Sequence, residues 1–169
     1  NKFNFDTKLV LDKTSFNIDY LNYKNNKNSK TQISLIGNYK KNNELNLNHV
    51  SVLSNDNRIL LKNFLLDKEN KIIKVDKIDL NYFDIENKKN KLSFKKKQKN
   101  NYDLNGSIFN ANKIITNLFD KTDDKQFKIL KNDIKLTLNL NEIYLDDKNL
   151  INDLTGDLQI KNNKIFEAN

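Results

Sequence analysis

Apolar residues recur at every second position over most of this chain. Ile33, Leu35, Gly37 and Tyr39 alternate with polar neighbours, as do Leu45 with Leu47 and Val50 with Val52. The same period returns at Tyr102, Leu104, Gly106 and Ile108, at Ile134, Leu136, Leu138 and Leu140, and at Leu154, Gly156, Leu158 and Ile160. A period of two puts alternate side chains on opposite faces of an extended strand. Each run therefore predicts a strand with one apolar and one wet face. Chains this rich in Asn and Lys are often disordered, but a random polar chain would not hold phase so persistently.

The runs are punctuated by Asn. Asn25-Asn26, Asn42-Asn43, Asn100-Asn101 and Asn162-Asn163 each fall between apolar-bearing stretches, as do Asn55-Asp56-Asn57 and Asp67-Lys68-Glu69-Asn70. Asn tolerates the left-handed backbone region and can replace Gly and Pro as a turn former. The long intervals between turns predict an antiparallel meander without βαβ units. One stretch differs: Ala111, Ile114, Ile115 and Leu118 follow a helical stripe, with Asn110 placed to cap it. The expected fold is mainly β, a long antiparallel meander with one short helix near 110–120. Its parts are a β-meander over 1–109, the helix and connector over 110–122, and further strands over 123–169, resuming near Phe127, all in one domain. Two phase flips, from Leu45/Leu47 to Val50/Val52 and from Leu136/Leu138/Leu140 to Ile143/Leu145, each imply an extra residue, as in a β-bulge. Bulges of this kind imply a sheet that curls over its apolar face.

Composition narrows the chemistry. The 169 residues carry 30 Lys+Arg against 22 Asp+Glu, a net charge of +8, and 33 Asn. With no cysteine, disulfides, thiol catalysis and Cys-ligated zinc are excluded. His49 is the only histidine, and it reads as a plain strand-surface or edge residue. Asp123-Asp124 and Asp146-Asp147 are adjacent pairs, which strand geometry points apart. The Asp147–Ile151 run has Leu150 and Ile151 where a calcium loop needs an oxygen ligand and Gly. Neither catalytic residues, metal ligands nor cofactors are expected, and the reading is non-enzymatic. Seven Lys lie between Lys88 and Lys99, but only one Arg, Arg58, is present. Nucleic-acid contacts usually recruit Arg, so the cluster reads as a solvated hairpin end, with no nucleic-acid partner. The chain opens Asn1-Lys2-Phe3, in mid-pattern and without Met, as expected of a segment of a longer protein.

The apolar face remains. Ile33, Leu35, Leu45, Leu47, Ile134, Leu136, Leu138, Leu140, Leu154, Leu158 and Ile160 are expected on one continuous surface. A sheet with one apolar face must cover it, and the short helix is too small. The sheet must fold on itself, as a sandwich, a barrel or an open trough.

From Tyr102 onward the sequence resembles the AsmA-like superfamily, and within it the large YhdP-type bacterial envelope proteins. The resemblance rests on Tyr102-Asp103-Leu104-Asn105-Gly106-Ser107-Ile108-Phe109-Asn110-Ala111 followed by Ile114, Ile115 and Leu118, where Asn110 replaces the family's Asp. It rests also on Ile134–Leu140, Ile143-Tyr144-Leu145, Leu150 and Leu154-Thr155-Gly156-Asp157-Leu158, with Asn162-Asn163-Lys164-Ile165 where the family has a Gly-rich hairpin. The first hundred residues agree in rhythm only. The resemblance implies a β-taco-like open groove whose apolar interior carries phospholipid or another acyl lipid between inner and outer membranes. It implies a periplasmic protein anchored in the bacterial inner membrane by a part outside this segment, with adjacent β-segments of the same chain pairing at its edges. On that reading the eleven residues above line a lipid groove. The alternative is a structural β-module of a surface adhesin or filament, its apolar face a dry core.

Overall fold

The computed structural model describes residues 2–40, 44–113, 131–162 and 164–169. They form one large sheet and a small hairpin. In chain order the strands are β1 (Lys2–Leu11), β2 (Asn17–Ile18), β3 (Tyr23–Lys24), β4 (Thr31–Lys40), β5 (Glu44–Ser54), β6 (Asn57–Leu66), β7 (Ile72–Lys74), β8 (Lys77–Phe83), β9 (Lys89–Gln98), β10 (Asn101–Asn110), β11 (Ile134–Tyr144), β12 (Leu150–Lys161) and β13 (Lys164–Ala168). The large sheet has eleven strands in the order β1-β4-β5-β6-β8-β9-β10-β11-β12-β13, with β7 paired to β6. It is mainly β, open and curled: β1 and β13 end the order at opposite edges, so no barrel closes.

One joint departs from the expected meander. β10 and β11 pair in parallel, Tyr102 with Leu136 and Leu104 with Leu138, whereas every other pairing is antiparallel. A parallel pair needs a crossover rather than a tight turn, and residues 111–133 supply it. The predicted helix over 110–120 and the strand resuming near Phe127 lie outside the described residues, except that Asn110 Oδ1 accepts the Asn112 N–H (3.2 Å) as a capping side chain would.

The phase flip in β5 is a bulge, whereas at the flip in β11 that strand keeps one register with β10 and β12 and the shift lies one strand away, between β10 and β9. Ile36 faces His49, but Gly37 faces Leu47, so Asn48 is the extra residue of β5. β6 flips beside it, from Ile59 and Leu61 to Phe64 and Leu66, with Asn63 at φ 49°. On the far side β10 shifts register between Gly106 and Ile108. β11 and β12 stay paired through Leu140–Leu154 and Ile143–Ile151, and Asp153, between those pairs, has φ 52°. Bulges matched on neighbouring strands bend the sheet along a shared line instead of merely breaking its pairing.

Asn takes the backbone positions that glycine usually fills. Of nine described non-Gly residues at positive φ, six are Asn: 22, 55, 63, 70, 87 and 162. Two of them sit in loops of one sequence, Asp-x-Glu-Asn-Lys. In each loop the Asp Oδ1 accepts two backbone N–H groups, Asp67 from Glu69 and Lys71 (2.9 and 3.0 Å) and Asp84 from Glu86 and Lys88 (3.0 and 2.9 Å). The Asn follows at φ 60° in both. The Lys71 N–H, then that of Glu69 and the nearby Lys131, hold the Asp67 carboxyl below its ordinary value despite some burial.

Candidate functional site

Strand register builds the apolar face in rows. Leu9 of β1 faces Ile33, Ile33 faces Val52, Val52 faces Ile59, and Ile59 faces Leu80. The row continues through Leu92, Gly106 and Leu140 to Leu154. A second row runs beside it: Thr7, Leu35, Val50, Leu61, Ile78, Phe94, Leu104, Leu138 and Gly156. Neither row contains a charged residue, and each crosses nine strands. Eight inter-strand steps of about 4.8 Å make each row about 38 Å long.

Two further rows are interrupted. Phe5, Gly37, Leu47 and Phe64 form the left part of the third, and Tyr102, Leu136, Leu158 and Ala168 the right. Phe3, Tyr39, Leu45 and Leu66 form the left of the fourth, and Ile134, Ile160 and Ile165 the right. The gap falls where β7 and β8 break at Val75-Asp76 and where Tyr102 faces Lys96 on β9. The eleven residues singled out in the sequence thus share four rows. Ile33, Leu140 and Leu154 are in the first, Leu35 and Leu138 in the second, Leu47, Leu136 and Leu158 in the third, and Leu45, Ile134 and Ile160 in the fourth. Leu136, Leu138 and Leu140 are buried and the other eight half-buried.

Two clusters form on this face. In one, Tyr23, Val52, Ile59, Leu80 and Tyr82 are buried, with Phe16, Ile18 and Leu21 packed against them. Residues 12–30 therefore cover the end of the face where β4 begins. Tyr23 meets Tyr82 and Phe16 edge-on, at 5.5 and 5.9 Å between centroids. The Tyr82 hydroxyl donates to the Leu21 carbonyl (2.7 Å), and burial holds its pKa far above the usual phenol value. Several polar groups around this cover pair with one another: Asn25 Nδ2 donates to Thr14 O and Thr31 Oγ1, and Thr31 Oγ1 to Ser54 Oγ (2.9 Å), while the buried Tyr23 hydroxyl has no hydrogen-bond partner of good geometry among the described residues.

The second cluster centres on Val75, Tyr102, Leu136 and Leu138, with Phe64, Phe94, Leu104, Leu154, Leu158 and Ile160 half-buried against it. Ile78 touches both clusters. Here the lead-in to β11 helps draw the face together: Lys131 N–H donates to Ile72 O and Asn132 Nδ2 to Ile73 O, both 2.9 Å. β7 occupies the β8 position, three places from β11, a separation of about 14 Å in a flat sheet. The glycines suit close packing at two points in the rows. A Cβ on Gly106 would lie 2.9 Å from Leu92 Cδ1 and 3.0 Å from Leu140 Cδ2, and one on Gly37 would meet the Phe5 ring at 2.8 Å.

The Lys cluster runs along the whole of β9 and is not confined to a hairpin end, which corrects that expectation. Lys88 pairs with Glu86 and Asp147 at 3.0 and 2.7 Å; these hydrogen bonds, Asp147's first, push its pKa well up. Lys89 lies over the Phe83 ring (4.4 Å), and Lys97 pairs with Asp103 (2.8 Å). His49 sits beside the bulge of β5, an interior strand. Residues the sequence reading left out include Ile59, Leu61, Ile78, Leu80 and Phe94, whose alternation was visible, and Phe16 and Tyr23, whose irregular spacing carried no period. Among protein-family models, curated proteins and solved structures, none matches this chain.

Proposed function

We propose that this chain is a segment of a bridge-like lipid carrier whose apolar rows hold phospholipid acyl chains in transit between the inner and outer membranes of a bacterial envelope. The observation that carries the reading is the second row, uncharged across nine strands; the first is equally uncharged but is covered at Val52, Ile59 and Leu80 by residues 12–30. At about 38 Å the second row exceeds one acyl chain, which spans half of a hydrocarbon core of about 30 Å. A chain lying along such a row gains about 0.8 kcal/mol per buried CH₂, with no need for a pocket or a catalytic group. Movement along the row exchanges one set of aliphatic contacts for an equivalent set.

A photo-crosslinker placed at position 138 and, separately, at Asn139 tests this, because adjacent strand positions face opposite ways. Lipid adducts at 138 and not at 139, with lipid transport lost in a folded Leu138→Asp protein, are the expected result, since an ionised carboxylate is costly to desolvate. Equal labelling at both positions, or normal transport by Leu138→Asp, removes the proposal. A second reading, a structural β-module of an adhesin or filament, draws on the Phe16–Tyr23 cover, which makes part of the face a dry aromatic core.

A further inference from the structure

The outer face carries a concavity lined mostly by the polar residues that alternate with the apolar rows, together with Leu80, Leu92 and Gly106 of the first row. It is a cleft of about 700 Å³ across β6, β8, β9, β10 and β11, within the usual range for small-molecule sites. It adjoins the bend at which β10 shifts register, and Ser107 and Asn141 lie in its lining.

Its charges are unevenly matched. Arg58, the only arginine of the chain, faces Asn81, and Asn81 faces Lys91. Two cations therefore stand two strands apart, about 10 Å, with a neutral amide between them. Asp79 is the cleft's single carboxylate, and it is engaged: Lys77 Nζ lies 2.6 Å from it and Ser93 Oγ donates to it at 2.8 Å. Arg58 and Lys91 form no ion pair among the described residues. The Arg58 charge is still near enough to act on Asp79: burial opposes ionisation there, but the hydrogen bonds to Lys77 and Ser93, then the Lys77 and Arg58 charges, hold the carboxyl below its ordinary value. Across from them the lining turns neutral and short, with Asn105 and Asn139 facing each other on β10 and β11. Charge at one end and amides with hydroxyls at the other recognise an anion attached to a polyol. Guanidinium and ammonium bind phosphate oxygens, while amide and hydroxyl groups both donate to and accept from sugar hydroxyls.

We infer that this outer cleft binds a phosphorylated sugar or polyol, the phosphate between Arg58 and Lys91 and the hydroxyls on Asn105 and Asn139. The group could arrive free in solution or as the head of a glycolipid or inositol lipid, since the chemistry is shared. The Arg58, Lys91, Asn105 and Asn139 positions alternate with those of the apolar rows, while Leu80, Leu92 and Gly106 of the first row also border the cleft.

Amide and side-chain NMR shifts of the isotopically labelled chain provide the test. The probes are glucose 6-phosphate, glucose, inorganic phosphate, and phosphatidylcholine vesicles with and without phosphatidylinositol. Glucose 6-phosphate or the inositol-lipid vesicles should shift the Asn105 and Asn139 amides with a Kd of about 1 mM or tighter. Glucose and inorganic phosphate should each bind about tenfold more weakly or worse. Arg58→Gln and Lys91→Gln, both at exposed positions, should each weaken binding about tenfold while leaving the remaining spectrum in place. Response to the free sugar phosphate alone assigns a soluble ligand, and response to the vesicles alone a lipid head. Shifts as large with inorganic phosphate as with glucose 6-phosphate, binding unchanged in Arg58→Gln, or silence toward every probe overturns the inference.

Discussion

The two clusters on the apolar face begin from the same alternating pattern and end in different environments. Around Val52, Ile59 and Leu80, residues 12–30 lay Phe16, Leu21 and Tyr23 over the sheet, and the five central side chains are at most 6% exposed. The centre of the second cluster, Val75, Tyr102, Leu136 and Leu138, is also buried, at 4–8% exposed, but only side chains of the sheet and its joints pack against it, with Leu154, Leu158 and Ile160 half-buried. The cover of the first cluster is a separate, largely aromatic segment; the second cluster has no such segment over it among the described residues and is largely aliphatic, with two stacked rings, Phe94 and Tyr102, 4.6 Å apart. Alternation decides which side chains share a face. What meets that face is decided by segments with no alternation of their own.

The largest expected effect comes from breaking the cover. Tyr23→Ala removes a buried ring and should cost about 3–5 kcal/mol in urea unfolding. In the folded fraction, a photo-crosslinker at position 59 should begin to capture lipid, as position 138 is expected to do in the unaltered chain. Capture at 59 with Tyr23 in place would mean that the two clusters do not differ. A smaller contrast separates two truncations: Ile59→Ala should cost about 2–4 kcal/mol and Leu158→Ala about half as much, because the latter is already part-exposed. Equal costs would make the face one continuous core. Gly106→Val tests the row that joins them. Its side chain would press on Leu92 and Leu140, with an expected loss of about 1–3 kcal/mol and reduced transport.

The smallest effect belongs to the rim. Lys88→Gln should cost about 1 kcal/mol or less, since its partners Glu86 and Asp147 are solvent-exposed although Lys88 itself is half-buried. Because the folded-state pKa of Lys88 is raised, its contribution is whole below the ordinary lysine value of about 10.4 and fades as pH rises through the folded value. The difference between Lys88→Gln and the unaltered chain should therefore stay constant across neutral pH and shrink only in strong alkali. A difference that shrinks near neutrality would remove Asp147 and Glu86 as its cause.

Much of this was legible in the residues. The flip at Leu47/Val50 marked a bulge because a one-residue slip exchanges faces, while that at Leu140/Ile143 pointed to a shift that lies between β10 and β9; Asn at turn positions foretold the positive φ of Asn55, Asn70 and Asn162 but not those of Asn22, Asn63 and Asn87. The parallel pairing of β10 with β11 was not legible: Tyr102–Ile108 and Ile134–Leu140 alternate identically read in either direction. The cover was hidden for a different reason. Phe16, Ile18, Leu21 and Tyr23 follow neither a period of two nor one of 3.6, so only their contact with Tyr82 and Ile59 identifies them. The outer cleft left no motif at all, since Arg58, Lys91 and Asn139 are brought together by register between strands distant in sequence.

The parallel joint between β10 and β11 also bears on the order of folding. Most neighbouring strands are joined by short turns, so their pairing closes small loops, whereas the β10–β11 pairing must first close the longer 111–133 connection. Non-local pairing of this kind slows folding. The hairpins of β4 to β10 and the β11–β13 hairpins should assemble early and separately, with the parallel seam zipping last. During that interval the unpaired edges of β10 and β11 are exposed to other chains, which makes the seam the place where domain-swapped pairs would arise at high protein concentration.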